Sequence, residues 1–113
     1  MNINKKIIDT LSPLGLPVKE NLYTGNETQW IVFNYADDRG DAYANDAPAV
    51  EVATMHIHLY APLDFNYQNL KKQIRSLLFE AGFSYATVST EIETDTRLRH
   101  LIFECEYVEG REV

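Results

Sequence analysis

Two stretches of the chain repeat apolar residues at the spacing of an amphipathic helix. The first runs from Asn4 to Leu14 and is followed by Gly15, which favours a helix end. The second follows a proline turn and has Asp64 or Asn66 as its expected N-cap and Gly82 as its stop. Its stripe is the clearest periodic signal in the chain and consists of Leu70, Ile74, Leu77, Leu78 and Ala81.

Five other segments have the composition or the two-residue alternation of β-strands. In the third, His56 and His58 point to the face opposite Met55 and Ile57. The turn residues around Gly25 predict that the first two segments form a hairpin. The five segments are Val18 to Tyr23, Gln29 to Tyr35, Ala49 to Ala61, Tyr85 to Thr94 and Leu98 to Val108.

Between the second and third strand segments lies the least regular part of the chain, residues 36–48. It holds four aspartates and one arginine among glycine, alanine and proline, and neither periodicity fits it. We therefore expect a long, mobile acidic loop. The element order is then α-β-β-loop-β-α-β-β. This order predicts an α+β fold, with a mixed or antiparallel sheet of about five strands and two helices packed on one face.

Length and charge narrow the function classes. A chain of 113 residues with a net charge of −7 fits a single α+β domain over residues 1–113. The acidic balance disfavours nucleic-acid binding and a polybasic membrane anchor, because both depend on Lys and Arg. No apolar run approaches the length of a membrane span. The single cysteine, Cys105, excludes an internal disulfide, and its place on the apolar face of its strand indicates an inert packing residue.

Histidines offer the one arrangement that suggests metal chemistry. His56 and His58 share a strand face, and we expect His100 on the same side, near glutamates of neighbouring strands. The spacing is weak support, because any i, i+2 pair in a strand is side by side. We find no nucleophile elbow and no phosphate-binding glycine motif. The sequence therefore predicts a protein that is not an enzyme, with no catalytic residues, cofactor or metal.

Aromatic residues point instead to an interaction surface. Seven tyrosines and one tryptophan are many for this length, and several flank the first three strands and the acidic segment. Tyr and Trp are enriched at protein interfaces. Because two helices cover only one face of the sheet, the second face favours oligomerisation.

Seven short segments, spread over nearly the whole chain, carry a resemblance to a known family. They are Leu14-Gly15-Leu16-Pro17-Val18, Tyr23-Thr24-Gly25, Trp30 to Tyr35, His56-x-His58-x-Tyr60, Asn69 to Ile74, Ala81-Gly82-Phe83 and Glu93 to Thr96. In these segments and in its order of elements, the sequence resembles small tail-terminator or tail-completion proteins, the head–tail joining proteins of bacteriophages and prophages of Gram-positive bacteria. The similarity rests on structural positions rather than catalytic ones.

The resemblance implies a structural protein that forms a ring, typically a hexamer. Such a ring stops polymerisation of the tail tube and joins it to the connector of the filled head. The implied partners are other copies of the chain, the tail-tube protein and the head–tail connector proteins. The implied location is the host cytoplasm during assembly and then the virion tail.

A ring subunit needs two complementary surfaces. The acidic segment and the basic outer face of the second helix are our candidates. The candidate interaction residues are Asp37, Asp38, Asp41, Tyr43, Asp46, Lys71, Lys72 and Arg75. Two alternatives stay open, another head–tail junction or minor tail component, and a small metal-binding enzyme that uses His56 and His58.

Overall fold

The structure is a computed structural model and describes residues 2–44 and 47–110. Its elements follow the predicted order. They are helix α1 (Ile3–Leu11), a 3₁₀ turn (Ser12–Leu14), strands β1 (Val18–Glu20), β2 (Trp30–Ala44) and β3 (Ala47–Pro62), helix α2 (Gln68–Glu80), and strands β4 (Thr87–Glu93) and β5 (Leu98–Gly110).

The strands form one mixed sheet in the order β1-β2-β3-β5-β4. The pairs β2–β3, β3–β5 and β4–β5 are antiparallel, whereas β1 runs parallel to β2. Both helices pack on one face of this open sheet. The predicted α+β class, with five strands and two helices on one face, is therefore confirmed.

The hydrophobic core lies between that face and the helices. Alternate residues of the central strands are fully buried there, among them Phe33, Ile57 and Phe103. The apolar stripes of the two helices supply the other wall. Cys105 lies in this core, and burial raises the pKa of its thiol to about 12, which agrees with an inert packing residue. The buried helix residues are Ile3, Ile7, Leu11, Leu70, Ile74 and Leu78.

Local hydrogen bonds define the helix ends. The Asn2 side chain caps α1 by accepting from the amides of Asn4 and Lys5 at 2.9 and 3.2 Å. The predicted N-cap of α2 is wrong, since the cap is Tyr67, although the Asn66 side chain accepts from the Gln68 amide at 3.2 Å. The predicted stop is confirmed, because α2 ends before Gly82, whose φ of 101° suits glycine.

The predicted hairpin between the first two strands is wrong. β1 pairs in parallel with β2, with Val18 opposite Ile31, so residues 21–29 must carry the chain back along the sheet before β2 begins. A two-strand hairpin would place the strands antiparallel. Asn21 takes a φ of 65° directly after β1, and its amide donates to the Phe33 carbonyl at 2.9 Å.

The predicted acidic loop is also wrong. Residues 36–44 continue β2 and residues 47–48 begin β3, so the acidic segment belongs to a long β-hairpin. A register shift between Tyr35 and Asp37 interrupts the alternation, which explains why the sequence shows no two-residue period there. Asp46, one of the candidate residues, lies outside the described residues.

The outer part of this hairpin, which we call the arm (residues 37–44 and 47–54), projects from the domain. Among the described residues, β5 pairs with β3 as far as the Val50–Gly110 pair, and beyond that pair the arm shows only the pairing of β2 with β3. The molecule is 53 Å long but about 25 Å in the other directions. Its radius of gyration of 15.5 Å exceeds the roughly 13 Å of a compact domain of this length.

Among residues 2–44 and 47–110, no helix combines the length and the apolar character that crossing a membrane requires.

Candidate functional site

The face of the sheet opposite the helices, which we call the open face, carries most of the unusual side chains. No helix of the described residues packs on it. Three rows of side chains cross it from β2 to β4. They are Trp30–Tyr60–His100–Glu91, Val32–His58–Ile102–Ser89 and Asn34–His56–Glu104–Thr87.

Aromatic rings stack along the first row. The ring centroids of Trp30 lie 5.3 Å from Tyr23 and 5.2 Å from Tyr60, and those of Tyr60 and His100 are 4.3 Å apart. The interplanar angles are 25°, 15° and 14°, so the rings are nearly parallel. Because Trp30 and Tyr60 each have a ring on both sides, their faces are not available for a sugar or a nucleobase. The stack therefore packs ring against ring within the protein.

A hydrogen-bonded pair of histidines joins the first row to the second, and a further contact reaches the third row. His58 Nδ1 and His100 Nε2 are 2.7 Å apart, and His58 Nε2 lies 3.0 Å from Asn34 Oδ1. His100 is the buried polar side chain of the described residues, with 8% of its surface exposed. The expectation that the three histidines share a face is confirmed. The pairing of His58 with Asn34 was not predicted, because cross-strand register is not visible in the sequence.

The remaining histidine binds a carboxylate. His56 Nε2 is 2.8 Å from Glu104 Oε1 across β3 and β5. These contacts occupy nitrogens that a metal ion would need. In the part of the chain that the structure describes, no three His, Cys, Asp or Glu side chains are placed to hold a metal ion together. Among those described residues, His56 and His58 thus form no assembled metal site.

Ion pairs fasten the base of the arm to the open face. Arg39 Nη2 is 2.8 Å from Glu106 Oε2 on β5, and Arg39 Nη1 is 3.2 Å from Asp37 Oδ2. The side chains of Asp37 and Asp38 are exposed. The structure places Asp41 opposite Val50 in the arm. Tyr43 pairs with Pro48 nearer the tip, so all three aspartates and Tyr43 lie along one projection.

The basic candidates lie on the opposite side of the molecule, on α2. Lys72 is exposed, and Lys71 Nζ lies 6.0 Å from the centre of the Tyr67 ring. Arg75 is engaged inside the domain, since Nε and Nη2 donate to the Ala86 carbonyl at 3.0 and 2.8 Å and its guanidinium covers the Tyr85 ring. Arg75 therefore differs in role from the two lysines, because its hydrogen bonds connect α2 to the residues before β4.

Comparison with models of protein families finds no match to this sequence, and comparison with curated proteins finds none either.

Proposed function

We propose that the protein is a structural subunit that assembles with copies of itself into a ring. Its resemblance to tail-terminator proteins extends the proposal to a specific role, in which the ring ends a phage tail tube and joins it to the head connector. The observation that carries the ring proposal is the unlike charge of the two layers of the domain.

The helices and the strands carry opposite charge. Residues 2–17 and 63–86, which hold both helices, have five basic and three acidic side chains. Residues 18–20, 30–62 and 87–110, which hold the five strands, have four basic and twelve acidic side chains. A heterologous contact between copies needs two complementary surfaces on each subunit, and rings close by repeating that contact. Contact between the acidic arm and sheet of one copy and the lysines on the helices of the next copy meets this requirement.

The open face also has the composition of a surface that becomes covered. Trp30, Val32 and Ile102 are only half-buried there, beside polar groups that already have partners on the same face. Interfaces combine such an aromatic and apolar centre with a polar rim. A neighbouring copy that covers this face would remove apolar surface from water without leaving the histidines unpaired.

The arm supports the proposal by its geometry. In the described part of the chain, its end shows only the pairing of β2 with β3, and a two-stranded ribbon alone is marginally stable in water. Contact with a second protein would supply the missing packing. The exposed aspartates favour contact with a basic surface, such as the one that Lys71 and Lys72 form on a neighbouring copy.

Charge reversal tests the ring. One double variant, Lys71→Glu/Lys72→Glu, makes the helix surface acidic, and a second, Asp38→Lys/Glu51→Lys, makes the arm basic. Sedimentation velocity of the wild-type protein should show a closed oligomer. Each variant alone should be folded by circular dichroism but monomeric by sedimentation velocity, because like charges then face each other across the contact between copies. An equimolar mixture should restore an oligomer with an even number of subunits, since both contacts are again complementary.

A wild-type protein that stays monomeric at all concentrations, or a mixture that fails to reassemble, would contradict the ring proposal.

The specific role in joining tails to heads needs a separate test. Replacing residues 41–50 with an Asn-Gly turn shortens the arm at the Gly40–Glu51 pair and keeps the hairpin closed. The shortened protein should fold but should no longer join tails to heads in a phage assembly assay. Normal yields of infectious particles would argue against the proposed role of the arm.

A further inference from the structure

The hydrogen bonds across the open face run in one direction. The Asn34 side chain donates through Nδ2 to the Tyr35 carbonyl at 3.1 Å, which turns its Oδ1 toward His58 Nε2. An amide oxygen can only accept, so His58 carries its hydrogen on Nε2. The bare Nδ1 of a neutral His58 then accepts from His100 Nε2–H at 2.7 Å. His100 donates to His58, and His58 donates to Asn34.

The outer end of this chain faces carboxylates. His100 Nδ1 lies 3.8 Å from Glu91 Oε2 and 4.0 Å from Glu93 Oε2, both on β4. Tyr60 stacks on the His100 ring from β3. His56 is a further titratable neighbour of the pair, with its ring centroid 6.1 Å from that of His58, and it is bound to Glu104. The carboxylates therefore adjoin one ring of the pair and not the other.

We propose that His58 and His100 form a proton-operated latch that takes up one proton on His100 with all its hydrogen bonds intact, and opens when a second proton reaches His58. The first proton adds to His100 Nδ1, which is not used in the pair and faces Glu91 and Glu93. The second must add to His58 Nδ1, which then presents an N–H to the N–H of His100 at 2.7 Å. Two donors cannot share that distance, so the rings separate.

The electrostatic surroundings give the same order of events. Burial, together with the smaller effects of positive charge on His100 and His56, lowers the pKa of His58 to about 4. Burial also lowers the pKa of His100, but Glu93 and Glu91 act in the opposite direction. His100 therefore accepts a proton at a higher pH than His58.

The latch goes beyond the proposed ring and does not depend on it. In the closed state it ties β2, β3 and β5 together on the face that no helix covers in the described residues. In the open state two imidazolium groups repel each other, and His100 is drawn toward β4. A partner on the open face would thus meet a different surface in acid than at neutral pH.

Long-range ¹H–¹⁵N correlation spectra of the uniformly ¹⁵N-labelled protein test the latch directly. At neutral pH, His58 should be the Nε2–H tautomer with an unprotonated Nδ1. On acidification His100 should titrate first, and His58 should titrate only near pH 4, together with loss of the hydrogen-bonded His100 Nε2–H signal. An Nδ1–H tautomer of His58, or titration of His58 before His100, would overturn the proposal. The imidazole signals of His56, which is not part of the pair, serve as the reference for the changes seen at His58 and His100.

Two variants strengthen the test without disturbing the core. In Glu91→Gln/Glu93→Gln, both substitutions lie on β4 beside His100, and the titration midpoint of His100 should move to lower pH while both tautomers stay unchanged. In Asn34→Asp, a carboxylate faces His58 Nε2–H and favours charged His58. His58 should then donate from Nδ1 to His100, whose hydrogen should move to Nδ1. An unshifted midpoint in the first variant, or an unchanged His100 tautomer in the second, would contradict the latch.

Discussion

The two faces of the central sheet differ in what holds them together. On the covered face, Phe33, Ile57 and Phe103 are fully buried and interact through shape and apolar area alone. On the open face, His58, His100 and Asn34 are joined by directed hydrogen bonds. Adjacent residues of one strand, Ile102 and Phe103, belong to different faces. The covered face thus holds the apolar core of the domain, and the open face holds polar groups joined by hydrogen bonds.

The largest expected effect comes from the covered face. Phe103→Ala should lower the free energy of unfolding by about 3 to 5 kcal/mol, because it removes a fully buried aromatic side chain and leaves a cavity. Ile102→Ala, one residue away on the open face, should cost only about 1 kcal/mol, since Ile102 is partly exposed. Urea titration of both variants measures the difference. Equal losses would mean that the two faces are covered to the same extent in solution.

A polar contact on the helix side should have the next largest effect. Arg75→Met keeps the apolar stem but removes two hydrogen bonds to the Ala86 carbonyl, so we expect a loss of about 2 kcal/mol. The matched control is Lys72→Met, an exposed residue on the same helix, which should change stability by less than about 0.5 kcal/mol. Thermal or urea unfolding distinguishes the two, and similar small values would show that Arg75 does not fasten α2 to the chain before β4.

The open face should make stability depend on pH. The pKa of His58 is about 4 in the folded protein, below the ordinary value of 6.5, so the unfolded chain binds the proton more tightly. The free energy of unfolding should therefore fall as pH decreases from 6.5 to 4, with no contribution from this residue above pH 6.5. Screening of a half-buried group reduces the change to about 1 kcal/mol. His58→Gln should give a flatter profile, and an identical slope would exclude His58 as its source.

The smallest effect on stability should come from the arm. Arg39→Ala removes exposed ion pairs to Glu106 and Asp37, and exposed pairs contribute little to global stability. The unfolding midpoint should stay nearly unchanged. Hydrogen exchange of the arm amides, however, should become faster, because Arg39 joins the arm to β5. Unchanged exchange would indicate that strand pairing alone holds the arm in place.

Sequence patterns predicted the elements that depend on local periodicity. The apolar stripe of α2 was visible in the sequence because residues three or four apart lie on the same face of a helix, whatever it packs against. The helix also ends before Gly82, as expected. The alternation of β3 likewise predicted that His56 and His58 leave the core. Both features are properties of a single segment.

The errors concern contacts between distant segments. Aspartate, glycine and alanine are weak strand formers, so residues 36–44 appeared to be a loop, yet most of the residues from Asp37 to Ala44 pair with β3. The register shift at Tyr35 and Asp37 removes the alternation that would have indicated a strand. Similarly, the short connection after β1 favoured a hairpin, but Val18 pairs in parallel with Ile31. Both features depend on which strand pairs with which, and the strand propensity of a single segment does not contain that information.

The candidate site shows the same division. The sequence by itself determined that three histidines and several aromatic residues face away from the helices, and that acidic residues gather on the strands while lysines gather on the helices. Only the tertiary structure decided that His58 meets His100 and Asn34, that Arg39 meets Glu106, and that Arg75 turns into the domain. The physical reason is that periodicity sets the face of a side chain, whereas strand order and register set its neighbour.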